Sequence, residues 1–117
     1  MDNLGLHHMV DFNSFQKIDI RAGTIIDVKE FPEARKPAFK LEIDFGHLGN
    51  KKSSAQITEL YDKDKLVGKQ ILAVMNVPPR QIGSFMSEVL TLGVPDAKGY
   101  VILVAPETNV ENGVKLY

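Results

Sequence analysis

The chain has 117 residues, a net charge of −1 from 14 basic and 15 acidic side chains, and no cysteine. That length fits one globular domain with a modest core, and a pI of about 6.3 argues against a purely electrostatic nucleic-acid binder, whose domain pI often exceeds about 9. Without cysteine there are no disulfides, thiolate nucleophiles or cysteine-held metals. No apolar run nears the ~20 residues a bilayer-spanning helix needs, and Met1 to Leu6 lacks the basic start and apolar stretch of a signal peptide. The expected location is the cytoplasm, without membrane insertion.

Residues 1–14 carry little pattern and read as an N-terminal extension. His7-His8 have no carboxylate or third ligand nearby, so a solvated pair is expected rather than a metal site. Asp11-Phe12-Asn13-Ser14-Phe15 offers Asp and Ser as caps for a short helical turn. From Ile18 the pattern is β: Ile20, Ala22, Thr24, Ile26 and Val28 share one parity, with Arg21, Asp27 and Lys29 on the other. Gly23 inside that run predicts a bulge or a bend. Phe31 to Pro37 is a loop bracketed by prolines and holding the cations Arg35 and Lys36.

Phe39, Leu41, Ile43 and Phe45 then alternate with Lys40, Glu42 and Asp44, which predicts a strand with one buried face. Gly46 to Lys52 is a turn, and Ser53-Ser54-Ala55-Gln56-Ile57 reads as a third strand of small, polar side chains. A short helix is expected over Thr58–Leu66, capped by Thr58 and followed by Gly68. Lys69 to Met75 is a buried strand that ends at Asn76-Val77-Pro78-Pro79-Arg80. The double proline there predicts a stiff loop presenting Arg80 and Phe85. Of the Phe85-Met86 pair, one is expected in the core and the other exposed, since a strand rarely buries both parities. Glu88 to Val94 pairs with the Lys69 strand, Pro95 to Gly99 turns, Tyr100 to Val104 is a further strand, and Asn112-Gly113 turns into a last extended piece.

These elements predict an all-β protein, a five-stranded OB-fold barrel with a short helix between strands 3 and 4 plus terminal extensions. A sandwich is the alternative. Ser53 and Ser54 have only His7, His8 and His47 as conceivable bases, none of them placed for a triad, and no phosphate-cradling glycine loop is present. A binding protein without catalytic function or cofactor is expected. Its candidate ligand-facing residues are Arg35, Lys36, Lys40, Lys51, Lys52, Ser53, Ser54, Gln56, Asn76, Arg80, Phe85 and Ser87. Phe39 and Phe45 are counted with Phe85 as aromatics of that face. Cations interleaved with aromatics suit a nucleic-acid strand, and phenylalanines serve equally as a platform for an apolar peptide.

Three motifs carry a family resemblance. Asp19-Ile20-Arg21-Ala22-Gly23-Thr24-Ile25 resembles the "D-[IV]-R-x-G-x-[IV]" opening of the tRNA-binding OB-domain family, which includes the C-terminal domains of methionyl-tRNA synthetases. Phe31-Pro32-Glu33-Ala34 is similar to its "H-P-[DE]-A" loop, with phenylalanine in place of histidine. Asn76-Val77-Pro78-Pro79-Arg80, Gly83 and Ser87-Glu88 are similar to its "N-[LF]-x-P" to "S-E-G-M" segment. The likeness spans residues 15–117. Within the family, Pro32 to Ala38, Ser53 to Thr58 and Asn76 to Ile82 resemble the CsaA branch of secretion-related chaperones.

The resemblance implies a closed barrel, a homodimer joined by terminal segments, and unfolded preproteins as ligands, with the export machinery as an associated partner. tRNA on the same face is the alternative it implies. Departures from the tRNA-binding pattern are Ser53-Ser54-Ala55-Gln56 where those proteins have "V-S-G", and Ser87-Glu88-Val89-Leu90 where they have "S-E-G-M". The dimer expectation rests also on the apolar residues Leu4, Leu6, Met9, Val10, Val114, Leu116 and Tyr117.

Overall fold

A computed structural model describes residues 9–117; His7, His8, Leu4 and Leu6 lie outside them. After a short helix α1 (Phe12–Gln16), the chain forms β1 (Ile20–Glu30), β2 (Phe39–Asp44), a 3-10 turn (Gly46–Leu48) and β3 (Asn50–Ala55). Helix α2 (Lys63–Leu66) leads to β4 (Gln70–Val74), and then come β5 (Arg80–Ile82), β6 (Phe85–Ser87), β7 (Leu90–Thr91), β8 (Gly93–Pro95) and β9 (Val101–Leu103). Five strands in the order β3-β2-β1-β4-β7 make one antiparallel sheet that curls into a nearly closed barrel. This is the expected OB-fold, with its helix between strands 3 and 4.

Closure is made by small polar groups. Ser53 Oγ, wholly buried, donates to the Val89 carbonyl at 3.0 Å and accepts from Thr91 Oγ1 at 2.9 Å. The Glu88 and Val89 amides both donate to the Lys52 carbonyl. The third strand is rich in serine because its inner side must approach β7 closely while leaving no buried polar atom unpaired. Inside the barrel, Ile25, Leu41, Ile43, Phe45, Ile57, Leu66 and Ile71 are at most 2% exposed. Each such side chain contributes about 1.5–3 kcal/mol of transfer free energy.

The alternation expected of β2 is realised: Phe39, Leu41 and Ile43 point inward and Phe45, just past the strand, joins them. The parity expected of β1 is not. The register steps from Ile25↔Ile43 to Asp27↔Glu42, so Ile26 is a bulge residue. Ile25 is therefore buried with Val28 while Ile26 is 41% exposed. The bulge is not at Gly23, whose requirement is space: a Cβ there would lie 2.6 Å from the Phe45 ring.

The expected helix over Thr58–Leu66 shrinks to its last turn. Thr58 Oγ1 bonds the neighbouring Glu59 carboxylate instead of capping, and Asp62 takes the N-cap position. Tyr61 Oη, accepting from the Leu103 amide at 3.1 Å, ties the preceding segment to β9. At the other end, Gly113 to Leu116 runs beside β1, with hydrogen bonds to Ile20 and Ala22 and a bridge from Lys115 to Arg21.

Candidate ligand-binding face

Pro78-Pro79 ends the extension of β4, as expected, but the next segment is a β-hairpin rather than a loop. β5 and β6 pair Arg80↔Ser87, Gln81↔Met86 and Ile82↔Phe85. Gly83 opens the two-residue turn at φ 60°, the left-handed value a II′ turn needs at its first position. The hairpin is fastened to the free edge of β3, where the Ser54 amide donates to Ser87 Oγ at 3.0 Å and the Lys52 amide to Glu88 Oε1 at 2.9 Å.

Outward residues of three neighbouring strands fall in rows across this face. Lys29, Lys40 and Ser54 are cross-strand partners in one row, and Asp27, Glu42 and Lys52 in the next. Phe85 projects from the hairpin onto Phe31, edge to face, with ring centroids 5.3 Å apart. Lys40 Nζ sits 5.2 Å from the Phe31 centroid and 5.9 Å from that of Phe85, within cation–π range of both. Phe85 is half-buried, Met86 beside it is exposed, and Phe31 beneath is only 4% exposed. The expectation that one of Phe85 and Met86 faces solvent therefore holds, but the other is not in the barrel core: Phe85 is half-buried on the outer face.

Two shallow depressions flank the hairpin. One, of about 170 Å³, lies between Lys40, Glu42, Lys52 and Phe85. The other, about 310 Å³, lies along β5 and is lined by Arg35, Lys36, Ser54, Gln56, Arg80 and Gln81. Among the described residues, no carboxylate comes within ion-pair distance of Arg35, Lys36 or Arg80.

Eight of the twelve sequence-predicted residues thus line the two depressions: Lys40, Lys52 and Phe85 the first, Arg35, Lys36, Ser54, Gln56 and Arg80 the second. The other four line neither. Ser53 is inside the barrel and Ser87 anchors the hairpin. Lys51 shares the inward parity of Ser53 and pairs with Ile43. Asn76 spends its amide on the backbone, donating to the Lys17 carbonyl at 2.6 Å and accepting from the Asp19 amide at 2.9 Å. Phe39 and Phe45 are core, since the inward parity of β2 claims both, and they leave the aromatic role to Phe85 and Phe31. Phe31 was legible as the substitution in the "H-P-[DE]-A" loop but not as an aromatic partner.

The first motif is also scaffold. Arg21 Nε bonds Asp19 at 2.6 Å and its Nη1 bonds the Gly113 carbonyl at 2.9 Å, locking the C-terminal segment to β1.

Residues 20–115 match the family model described as "Putative tRNA binding domain". The chain belongs to this tRNA-binding domain family. A methionine–tRNA ligase of Porphyromonas gingivalis is 35% identical over 104 residues, which is 89% of this chain but 15% of the ligase. The chain thus spans about a seventh of the curated ligases it matches, and the match falls on their non-catalytic tRNA-binding domain rather than on a catalytic unit. Two solved structures cover it far more fully. Chaperone CsaA from Bacillus anthracis is 50% identical with a TM-score of 0.87, covering 94% of this chain and 100% of that one. The CsaA chaperone protein from Picrophilus torridus is 52% identical with a TM-score of 0.86, covering 93% and 100%. Within the tRNA-binding domain family, the chain thus carries the fold and much of the sequence of these two chaperones. Among the described residues, no helix is long and apolar enough to cross a membrane.

Proposed function

We propose that the chain is a homodimeric, export-related chaperone of the CsaA type that holds unfolded polypeptides, preproteins among them, on the β5–β6 side of its barrel. The observation that carries this reading is the Phe85 ring half-buried against Phe31 on one face of the hairpin, with Met86 exposed on the opposite face. Both faces of the hairpin thus offer apolar contact, and methionine adapts to varied side chains. The likeness to two CsaA chaperones at 50% and 52% identity supports it. In this reading residues 15–117 form the binding domain, residues 1–14 contribute to the dimer, the protein acts in the cytoplasm, and the export machinery receives its clients.

The dimer is supported by an apolar patch at the termini. Phe12, Phe15 and Ile18 meet Leu116 and Tyr117 around a cavity of about 240 Å³, and the first three are exposed, as are Met9, Val10 and Tyr117. Light scattering at twice the mass of the chain is the expected result, and a monomer refutes it.

The test of the main reading is binding to a urea-unfolded preprotein after dilution, together with suppression of its aggregation. Held mainly by apolar burial, the complex responds weakly to salt. Failure in both assays sinks the reading.

A second reading, tRNA on the same face, is favoured by one specific observation: Arg35, Lys36 and Arg80 have no carboxylate partner among the described residues. Neutralising about three phosphates gives a log–log salt slope of roughly −2 to −3. A flat slope, or no gel shift with tRNA, removes it.

A further inference from the structure

We infer that the open edge of β5 is a strand-addition site, at which an extended acidic polypeptide pairs with the backbone of Gln81. This rests on the polypeptide reading and specifies how the client chain is gripped. In a hairpin with a two-residue turn, the residues flanking the turn exchange both hydrogen bonds, so Ile82↔Phe85 is a hydrogen-bonded pair, as is Arg80↔Ser87. The pair between them, Gln81↔Met86, is not. The N–H and C=O of Gln81 therefore point away from β6, and neither has a partner among the described residues.

An unpaired strand edge beside open space is a template for another strand. Proteins usually blunt such edges, and Pro78-Pro79 do so immediately upstream by removing donors. Gln81 is left as a single donor–acceptor pair, beside the depression of about 310 Å³. The surroundings select the occupant. Ala34, Ala38 and Ser54 give the depression low walls on which a backbone can lie close, and Arg35, Lys36 and Arg80, none within ion-pair distance of a carboxylate among the described residues, surround it with positive charge. Main-chain pairing gives affinity without regard to client sequence, and alternate side chains give the selectivity. An extended segment with glutamate or aspartate on one parity and apolar residues on the other fits both demands, its acidic parity on the Arg80 face of the hairpin and its apolar parity on the Met86 face.

The probe is a fluorescein-labelled, end-capped heptapeptide in which glutamate alternates with valine and phenylalanine, read by anisotropy. Gln81→Pro removes the open N–H without touching a hydrogen bond between β5 and β6, and the side-chain bond from Gln81 to the Gly83 carbonyl is lost equally in Gln81→Ala. Gln81→Pro is expected to weaken binding at least tenfold, whereas Gln81→Ala, which keeps the N–H, stays within twofold. On the unaltered protein, single backbone N-methylation along the peptide is expected to weaken binding sharply at one residue, whose N–H meets the Gln81 carbonyl, and little at the residues on either side of it. This second arm holds even if the proline variant does not fold. A lysine-for-glutamate peptide is expected to bind at least tenfold more weakly.

Equal affinities for the proline and alanine variants, with a flat N-methylation scan, overturn strand addition while leaving peptide binding intact. Tighter binding of the lysine peptide overturns the acidic preference. Binding of oligouridylate but of neither peptide nor unfolded preprotein overturns the polypeptide reading itself, and strand addition with it.

Discussion

Two pairs of phenylalanines divide the molecule. Phe39 and Phe45 are buried on the inner side of β2 and its extension, while Phe31 and Phe85 meet on the outer face, 5.3 Å apart under Lys40. The chemistry is identical and the roles are opposite. What separates them is parity and the hairpin. β2 turns Phe39 and Phe45 inward with Leu41 and Ile43, whereas Phe85 is brought to the surface by a strand pair that belongs to no barrel sheet. Aromatic content alone therefore does not mark a binding face in a small barrel; the element that carries the ring does.

The sharpest way to break this comparison is to truncate one ring of each pair. Phe45→Ala removes a fully buried ring that also fills the space above Gly23, and is expected to cost about 3–5 kcal/mol in urea unfolding. Client binding by whatever fraction remains folded is unchanged. Phe85→Ala is expected to cost about 1 kcal/mol, the order of one aromatic pair, yet to lower affinity for unfolded polypeptide about tenfold. If the two variants lose stability equally, or if Phe85→Ala binds normally, the division into core and platform is wrong.

Ser53 tests the seam between the two regions, since β3 carries core residues on one side and the hairpin at its free edge. Ser53→Ala removes the hydroxyl without adding bulk to a wholly buried site and leaves the Val89 carbonyl and the Thr91 hydroxyl without their partner. A loss of about 1–3 kcal/mol is expected, measured as a lower urea midpoint at unchanged slope. The neighbouring Ser54→Ala, whose side chain faces the depression, is expected to change stability by less than about 0.5 kcal/mol. Equal effects at the two serines would mean that the parity of β3 does not separate closure from binding.

The barrel was legible because β2 alternates cleanly and β4 and β9 are short apolar runs, so period and length alone place them. Three features were not. The bulge at Ile26 has no residue signature: an isoleucine among β-branched neighbours looks like any other strand position, and Gly23, the residue that resembles a bulge, is required for space that only the fold reveals. The helix before β4 looked longer because Thr58 and Glu59 have the composition of a capped first turn, but they bond each other instead. The hairpin was hidden by its prolines, which end a strand in any local reading. Gly83-Ser84 as a II′ turn between Arg80-Gln81-Ile82 and Phe85-Met86-Ser87 was the available signal. Of the candidate site, the cations on loops and the alternation of β2 could be read from spacing, whereas β3, with cations and serines on both parities, gave no sign that Lys51 and Ser53 turn inward. That Asn76 and Ser87 serve the backbone could not be read either, because an amide or hydroxyl in a motif looks the same whether it meets a ligand or a backbone group from a distant part of the chain.

The smallest effect concerns the terminal region that the dimer reading needs. Asp11 accepts from the Ser14 amide at 2.7 Å and caps α1, the helix that carries Phe12 and Phe15. Its carboxyl is held below its ordinary value first by that backbone hydrogen bond and then by the Ser14 hydroxyl, against a slight opposing effect of burial. A carboxylate whose folded pKa is depressed contributes stability that is present above the unfolded value and lost as pH falls through the folded one. The cap is therefore complete at neutral pH and weakens in acid, from the ordinary aspartate titration down through the lowered folded one. Protection of the Ser14 amide, its exchange rate taken relative to the intrinsic rate at the same pH, is expected to fall there. Asp11→Asn retains an N-capping acceptor but no charge, so it is expected to keep the helix and abolish the acid response, while Asp11→Ala accelerates exchange at every pH. If Asp11→Asn still shows the acid response, another group governs the helix, and the terminal aromatics are positioned by something other than this cap.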